Sequence, residues 1–229
     1  MNRVVEVERS PATLSEPPGY PRWIRISFWV CIFIAAAAVL RRLLALAHPS
    51  QSGPPQVLAL DAVFSSHVAL TLAHIIPSLI FVMLTPFIYW RSFVSKPWVE
   101  RVLLPLGLMV GITAYLMSSH PVGRWIERSA VLFFNTLFLY CLLRAWQLRL
   151  RDRAHYLRWL TRAIGILFGI ATTRPVMGIF FATSALTKLT PSQFFGVAFW
   201  IGFSINTVAI ELWLRSRSGG LQMTKLALR

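Results

Sequence analysis

Acidic residues are scarce in this 229-residue chain, and so are the motifs that usually accompany catalysis. Asp and Glu total 8 against 23 Lys and Arg, and charged residues make up 14% of the sequence. It contains no Ser/His/Asp order, no glycine-rich phosphate loop and no paired catalytic carboxylates. These absences exclude the common hydrolytic and nucleotide-dependent signatures. They favour a protein without enzyme activity but leave that question open.

Cysteine is nearly absent as well. Cys31 and Cys141 each lie inside an apolar stretch, and their spacing fits neither a disulfide framework nor a metal-binding motif. The first 21 residues lack the apolar core of a signal peptide. We therefore predict that residues 1–21 form a mobile cytoplasmic tail.

Apolar residues dominate the remainder of the chain. They make up 56% of the sequence, and the mean hydropathy of +0.61 is typical of a chain whose exterior is apolar too. The pattern predicts an all-α fold with about six transmembrane helices, in a single domain over residues 22–215, followed by a cytoplasmic tail at 216–229. The predicted segments are 23–46, 67–90, 102–119, 127–147, 157–185 and 193–214. A short interfacial helix is expected between the first two.

Basic residues flank these segments instead of sharing one soluble face. Most lie on the side of the two termini, which predicts that both termini are cytoplasmic in a bacterial inner membrane. The formal net charge of +15 is then explained by topology and by contact with anionic lipids, without nucleic-acid binding. Arg41 and Arg42 interrupt the first segment, and we expect them to reach outward to lipid headgroups while Asp61 stays isolated.

Small residues recur at four-residue steps in three segments. This spacing predicts close helix packing and carries no chemistry. The positions are Gly107 and Gly111, Gly165 and Gly169, and the series Ala198, Gly202 and Asn206.

A polar stripe runs along the second segment. Its members fall within about 60° of one another on a helix, so they must face the bundle interior or a wet cavity. This pattern is typical either of a hydrogen-bonded seam between helices or of the wall of a ligand pocket. The stripe consists of His67, Thr71, His74, Ser78 and Thr85.

Arg174 lies deep inside the fifth segment, beside Pro175. An arginine at such a depth costs about 2.5–3.5 kcal/mol on insertion scales, so it normally has a partner. Counting residues from each end places it at a depth similar to that of His74. One interpretation is that Arg174 caps carbonyls freed by the proline or reaches outward to the headgroups.

The other interpretation is a pocket in the outer half of the membrane. It would bind a lipid, a quinone or another anionic amphiphile, with the arginine holding the charge and the histidine and hydroxyls orienting the head. The predicted ligand-binding residues are His74, Ser78, Thr71, Arg174 and Thr173. Nearer the inner face, Arg162 and Glu211 are predicted to form a structural ion pair.

Histidines gathered on the outer side suggest two alternatives. His67 and His74 are about 10.5 Å apart along one helix, too far to ligate one iron together. Haem b would therefore need His120 as its second ligand, giving a membrane redox protein. A zinc or copper site could instead use His48, Asp61, His67 and His120, although their spacing matches no motif.

Two blocks of the chain resemble a family of bacterial membrane proteins known as domain of unknown function 2306. The first, AHIIPSLIFVMLTPFIYW, carries His74 and the Thr85-Pro86-Phe87 run, and the second begins with His155, Trp159 and Arg162. The resemblance covers most of residues 67–214. It implies a multi-helix membrane protein and supplies no activity, so a small permease or an accessory subunit, with a membrane-protein partner or a second copy, stays an alternative.

Overall fold

The fold is built entirely from helices over the residues that the structure describes. The computed structural model describes residues 22–48, 52, 54–89 and 97–227. The predicted all-α class is confirmed, whereas the N-terminal tail predicted for residues 1–21 lies outside the described residues. The eight helices of the described ranges are α1 (Arg22–Ala47), α2 (Pro55–Ser65), α3 (Val68–Tyr89), α4 (Pro97–Met117), α5 (Arg124–Leu148), α6 (Arg153–Leu167), α7 (Gly169–Thr187) and α8 (Pro191–Ala227).

Six stretches of the described chain are long and apolar enough to cross a membrane. They correspond to the six predicted segments, and α2 is the short helix expected between the first two. α8 continues to Ala227, well beyond the predicted end at residue 214. Six crossings would put the start of α1 and the end of α8 on the same side of a membrane.

The fifth segment differs from its prediction as one continuous helix. α6 ends at Leu167 and α7 begins at Gly169, with Phe168 between them. Phe168 is buried and meets Phe28 edge-on at 5.5 Å between ring centroids. A Cβ on Gly169 would lie 2.5 Å from the ring of Phe203, so only glycine permits this approach. The two helices still form one candidate span, Arg153–Ser184.

Helix α5 lies at the centre of the bundle. It packs against α4, α6 and α8, while α3 pairs with α4 and α7 pairs with α8. Aromatic side chains fill much of the core, including Phe134, Phe138 and Tyr156. By contrast, α1 rests against α3 and α7 and buries just Ile32 and Ala35.

The small residues have the packing role that their spacing predicts. A Cβ on Gly107 would lie 2.8 Å from Leu142, and one on Gly165 would lie 2.9 Å from Ile210. Both distances are shorter than van der Waals contact, so these helices touch through their glycines.

Arg41 and Arg42 both bind Asp61, so the prediction that this aspartate is isolated is wrong. Arg41 Nη2 lies 2.9 Å from Asp61 Oδ2, and Arg42 Nη1 bonds Oδ1 of the same carboxylate. The Arg42 guanidinium also lies 4.0 Å from the ring centroid of Phe64. Helix α2 thus folds back on the end of α1, and contact of the two arginines with lipid headgroups stays a prediction.

Asp152 caps the start of α6. Its carboxylate accepts a hydrogen bond of 3.0 Å from the His155 backbone N–H and contacts His155 Nδ1 at 2.7 Å. The backbone hydrogen bond is the main reason that the pKa of Asp152 is lowered. The histidine that begins the second family-like block therefore helps to start a helix.

The structure places Arg162 and Glu211 together, as the sequence predicts. Arg162 Nε donates to Glu211 Oε2 at 2.8 Å, and Arg215 Nε donates to Oε1 at 3.0 Å. The Arg162 guanidinium also lies 4.7 Å from the ring centroid of Trp159. These contacts tie α6 to α8.

A double-mutant cycle should measure how much the ion pair of Arg162 and Glu211 contributes to stability. We expect Arg162→Gln and Glu211→Gln to show a coupling free energy of about 1–2 kcal/mol, more than a fully exposed pair and less than a fully buried one. The free energy of unfolding of the wild type, both single variants and the double variant would be measured in detergent by denaturant titration. Strictly additive effects would show that the two side chains do not stabilise the bundle together.

Candidate functional site

A cavity of about 220 Å³ lies between the helices. Much of its wall is apolar, with Phe134, Phe138, Phe199 and Phe203 among the lining side chains. It lies toward the end of the bundle where α1 and α4 finish and α5 begins, which the predicted topology assigns to the outer side. Its polar lining residues are Arg42, His74, Ser78, Ser118, His120, Glu127, Asn135 and Arg174.

Three of the five predicted ligand-binding residues line this cavity together. They are His74 and Ser78 of α3 and Arg174 of α7. Thr71 and Thr173 are not among the residues that line it, and each hydroxyl bonds a backbone carbonyl. Thr71 donates to Phe64 O at 3.1 Å, and Thr173 donates to Gly169 O at 2.8 Å.

Arg174 has no ion pair and no hydrogen bond within the described part of the chain. Its Nε atom is fully buried without a partner. The buried Nε of Arg144 is also unpaired, but Arg144 Nη1 bonds Gln147 at 2.9 Å. The prediction that Arg174 caps the carbonyls around Pro175 therefore has no supporting contact among these residues. A guanidinium in an apolar cavity without a counter-charge is costly.

Thr113 of α4 positions the His74 ring. His74 Nδ1 lies 3.0 Å from Thr113 Oγ1, and the same hydroxyl lies 2.8 Å from Met109 O and 3.0 Å from Val110 O. When the hydroxyl donates to one of these carbonyls, it accepts from the imidazole, and a neutral ring then leaves Nε2 as a hydrogen-bond acceptor.

Ser78 is likewise an acceptor within the cavity. Its hydroxyl donates to the carbonyl of His74 at 2.6 Å, one helical turn earlier. This bond commits its single hydrogen and leaves lone pairs on Oγ. Arg174 thus supplies donors, whereas His74 and Ser78 supply acceptors.

Two further polar side chains on the cavity wall were missed by the sequence reasoning. Glu127 is buried and accepts a hydrogen bond of 2.6 Å from the Gly123 backbone N–H. Asn135 Nδ2 donates to Gly111 O at 2.9 Å. Glu127 could have been noticed as an acidic residue in the first turn of α5. Asn135 follows Phe134 in an apolar helix and stands out only by being polar.

Arg174 differs from the other arginine of the cavity wall in having no acidic partner among the described residues. Arg42, the other arginine of the wall, is paired with Asp61, which it shares with Arg41. The Glu127 carboxyl faces a backbone N–H and forms no ion pair within the described residues. An anion that enters the cavity would therefore find its unpaired cation at Arg174.

The structure brings some of the predicted haem and metal ligands together and separates or occupies others. His67 and His120 stack with ring centroids 3.9 Å apart, which leaves no space for a macrocycle between them. His74 and His120 share the wall of the larger cavity, so haem at that pair stays a prediction. Asp61 is bound by two arginines, and the described residues contain no cluster of three or more His, Cys, Asp or Glu side chains that could hold a metal.

Comparisons with known proteins add no relative. No family model, no curated protein and no solved structure matches this chain. The resemblance noted from its two sequence blocks thus stays a prediction, and the function must be argued from the cavity itself.

Proposed function

We propose that this membrane protein binds an anionic amphiphile in the cavity between α3 and α7. The observation that carries the proposal is the guanidinium of Arg174, which has no partner among the described residues and lies in the wall of a mainly apolar cavity. Burying a lone charge is unfavourable, and an anionic ligand would remove that cost. The planar guanidinium suits a phosphate or carboxylate, which can accept two parallel hydrogen bonds.

The hydrogen-bond donors and acceptors on the cavity wall limit which ligands would fit. Ser78 Oγ is an acceptor because its hydrogen is donated to His74 O, and His74 Nε2 is an acceptor when Nδ1 donates to Thr113. A ligand head that carries a hydroxyl or another donor beside its anion would satisfy both sides. A lipid phosphate with a hydroxyl-bearing head meets this requirement. A fully oxidised quinone does not, because its ring carbonyls only accept.

The apolar part of the ligand would lie against aromatic side chains. Phe134 stacks on Phe203 at 5.3 Å between ring centroids, and Phe199 stacks on Phe203 at 5.7 Å. Acyl chains that come from the bilayer are already out of water, so these rings would stabilise them through van der Waals contact. The basic residues at the bundle ends favour contact with anionic lipids, in keeping with the predicted bacterial inner membrane.

The test compares two arginine substitutions in binding to phosphatidylglycerol, which has a phosphate and free hydroxyls. Because a hydrogen bond to a charged group contributes about 1.5–3 kcal/mol, Arg174→Gln should reduce retention of this lipid by about tenfold or more. Arg174→Lys should retain an intermediate amount of the lipid, since the positive charge remains while the two parallel donors of the planar guanidinium are lost. Arg128→Gln removes an exposed arginine and should leave retention unchanged.

Native mass spectrometry of delipidated protein, reloaded in mild detergent, gives the retained fraction. Phosphatidylcholine is the second probe and should bind more weakly, because its head has no donor. Equal retention by the wild type and by Arg174→Gln, with both proteins folded, would contradict the proposal. Organic extraction of protein from native membranes then identifies the resident amphiphile.

A further inference from the structure

Two histidines, His67 and His120, meet at the same end of the bundle, where His120 also lines the 220 Å³ cavity. His67 directly precedes α3, and His120 follows α4. Their ring centroids are 3.9 Å apart with an interplanar angle of 38°. Both side chains are exposed, so a solute could reach them from the aqueous side.

Each histidine is preceded by a serine whose hydroxyl oxygen contacts the Nδ1 atom of the ring. Ser66 Oγ lies 2.9 Å from His67 Nδ1, and Ser119 Oγ lies 2.9 Å from His120 Nδ1. Each serine hydroxyl also donates to the backbone carbonyl three residues earlier, at 2.7 Å and 2.6 Å respectively.

These contacts favour one tautomer of each ring. When the serine hydrogen points to the carbonyl, Oγ accepts from the imidazole, and the ring proton lies on Nδ1. The neutral rings of His67 and His120 are then unprotonated at Nε2. This is the form of histidine that ligates metals, with its other nitrogen oriented by a hydrogen bond.

A second cavity lies beside the two rings. Its volume is about 20 Å³, and His67, His120, Thr71 and Met117 are among its walls. A space of this size is sufficient for a single water molecule or one small ion. Asp61 cannot supply a further ligand without leaving Arg41 and Arg42.

We propose that His67 and His120 form a two-histidine site for a divalent d-block cation, Zn²⁺ or Cu²⁺. Imidazole nitrogen suits both ions, and water would complete the coordination. Ser66 and Ser119 act as positioning residues that keep Nδ1 protonated. The site shares His120 with the wall of the larger cavity, but neither Arg174 nor His74 is one of its ligands, so it does not depend on the amphiphile proposal.

The experiment titrates the full chain, carrying no polyhistidine tag, with Zn²⁺ and with Cu²⁺ separately. We expect one ion per chain, and each of His67→Gln and His120→Gln should weaken binding by at least about tenfold, since one of two protein ligands is lost. His155→Gln removes an exposed histidine bound to Asp152 and should leave the affinity unchanged. Ser66→Ala should weaken binding less than His67→Gln does.

Cu²⁺ electron paramagnetic resonance gives an independent readout. Coupling to two equivalent nitrogens is expected in the wild type, and coupling to one in either histidine variant. Gel filtration and thermal unfolding establish that each variant is folded. Absence of binding by the folded wild type, or unchanged affinity in both histidine variants, would overturn the site. Loss of binding with Mg²⁺ as competitor would also overturn it, because imidazole prefers d-block ions.

Discussion

Replacing Ala114 by phenylalanine is expected to abolish phosphatidylglycerol retention while the bundle stays folded. Ala114 lines the 220 Å³ cavity from α4, one residue after the threonine that holds His74. A benzyl group there would occupy space that the ligand needs without altering any charge. If Arg174 binds the amphiphile inside this cavity, loss of space should be as harmful as loss of the guanidinium.

The control for this substitution is on the same helix. Ile112 is 50% exposed, so Ile112→Phe changes a side chain that faces away from the cavity. Native mass spectrometry should show a reduction in retained lipid of more than about tenfold for Ala114→Phe, which corresponds to at least about 1.4 kcal/mol, and no change for Ile112→Phe. Full retention by folded Ala114→Phe would mean that the lipid binds outside the cavity.

The largest expected loss of stability comes from adding one methyl group at Gly202. A Cβ there would lie 2.6 Å from the backbone nitrogen of Thr173, the residue before Arg174. Because backbone cannot move aside as a flexible side chain does, α8 must shift away from α7. We expect Gly202→Ala to lower the free energy of unfolding by about 2–3 kcal/mol, the upper part of the range for overpacking.

Gly178 of α7 provides a matched control. A Cβ at Gly178 meets nothing within 4 Å, so Gly178→Ala should raise the free energy of unfolding by about 0.5–1 kcal/mol through helix propensity. Both variants would be unfolded by denaturant in the same detergent. Opposite signs are the expected result. A loss of equal size in both would indicate that helix packing at Gly202 contributes nothing specific.

The helices of this fold were predictable because lipid requires long apolar segments. The six segments, the short α2 and the glycine contacts follow from hydropathy and from residue spacing. The break at Phe168 could not be predicted, because it depends on Phe28 and Phe203, which contact it from distant parts of the chain. Asp61 shows the same limitation, since hydropathy does not reveal that α2 folds back onto α1.

The candidate site was predictable where charge or polarity conflicts with the membrane. Arg174, His74 and Ser78 stand out in apolar helices, and counting residues placed them at similar depth. Thr71 and Thr173 were predicted beside them but do not line the cavity. Thr71 bonds a carbonyl of α2 and Thr173 bonds one of its own helix, and no sequence pattern shows which backbone carbonyl a threonine hydroxyl will choose. The stacking of His67 on His120 requires the relative positions of α3 and α4, which the sequence does not give.

Helix α1 forms one wall of the larger cavity, and its weak attachment means that little free energy is needed to move it. Its side of the cavity is lined by small residues such as Ala35 and Ala38, while Trp29 and Phe33 are exposed on its surface. Separating α1 from the bundle would uncover little buried surface, and in a bilayer its backbone hydrogen bonds would stay intact. A hydrophobic molecule could therefore enter sideways from the leaflet. Its exchange rate would then follow the mobility and thickness of the surrounding lipid, and its concentration in water would matter little.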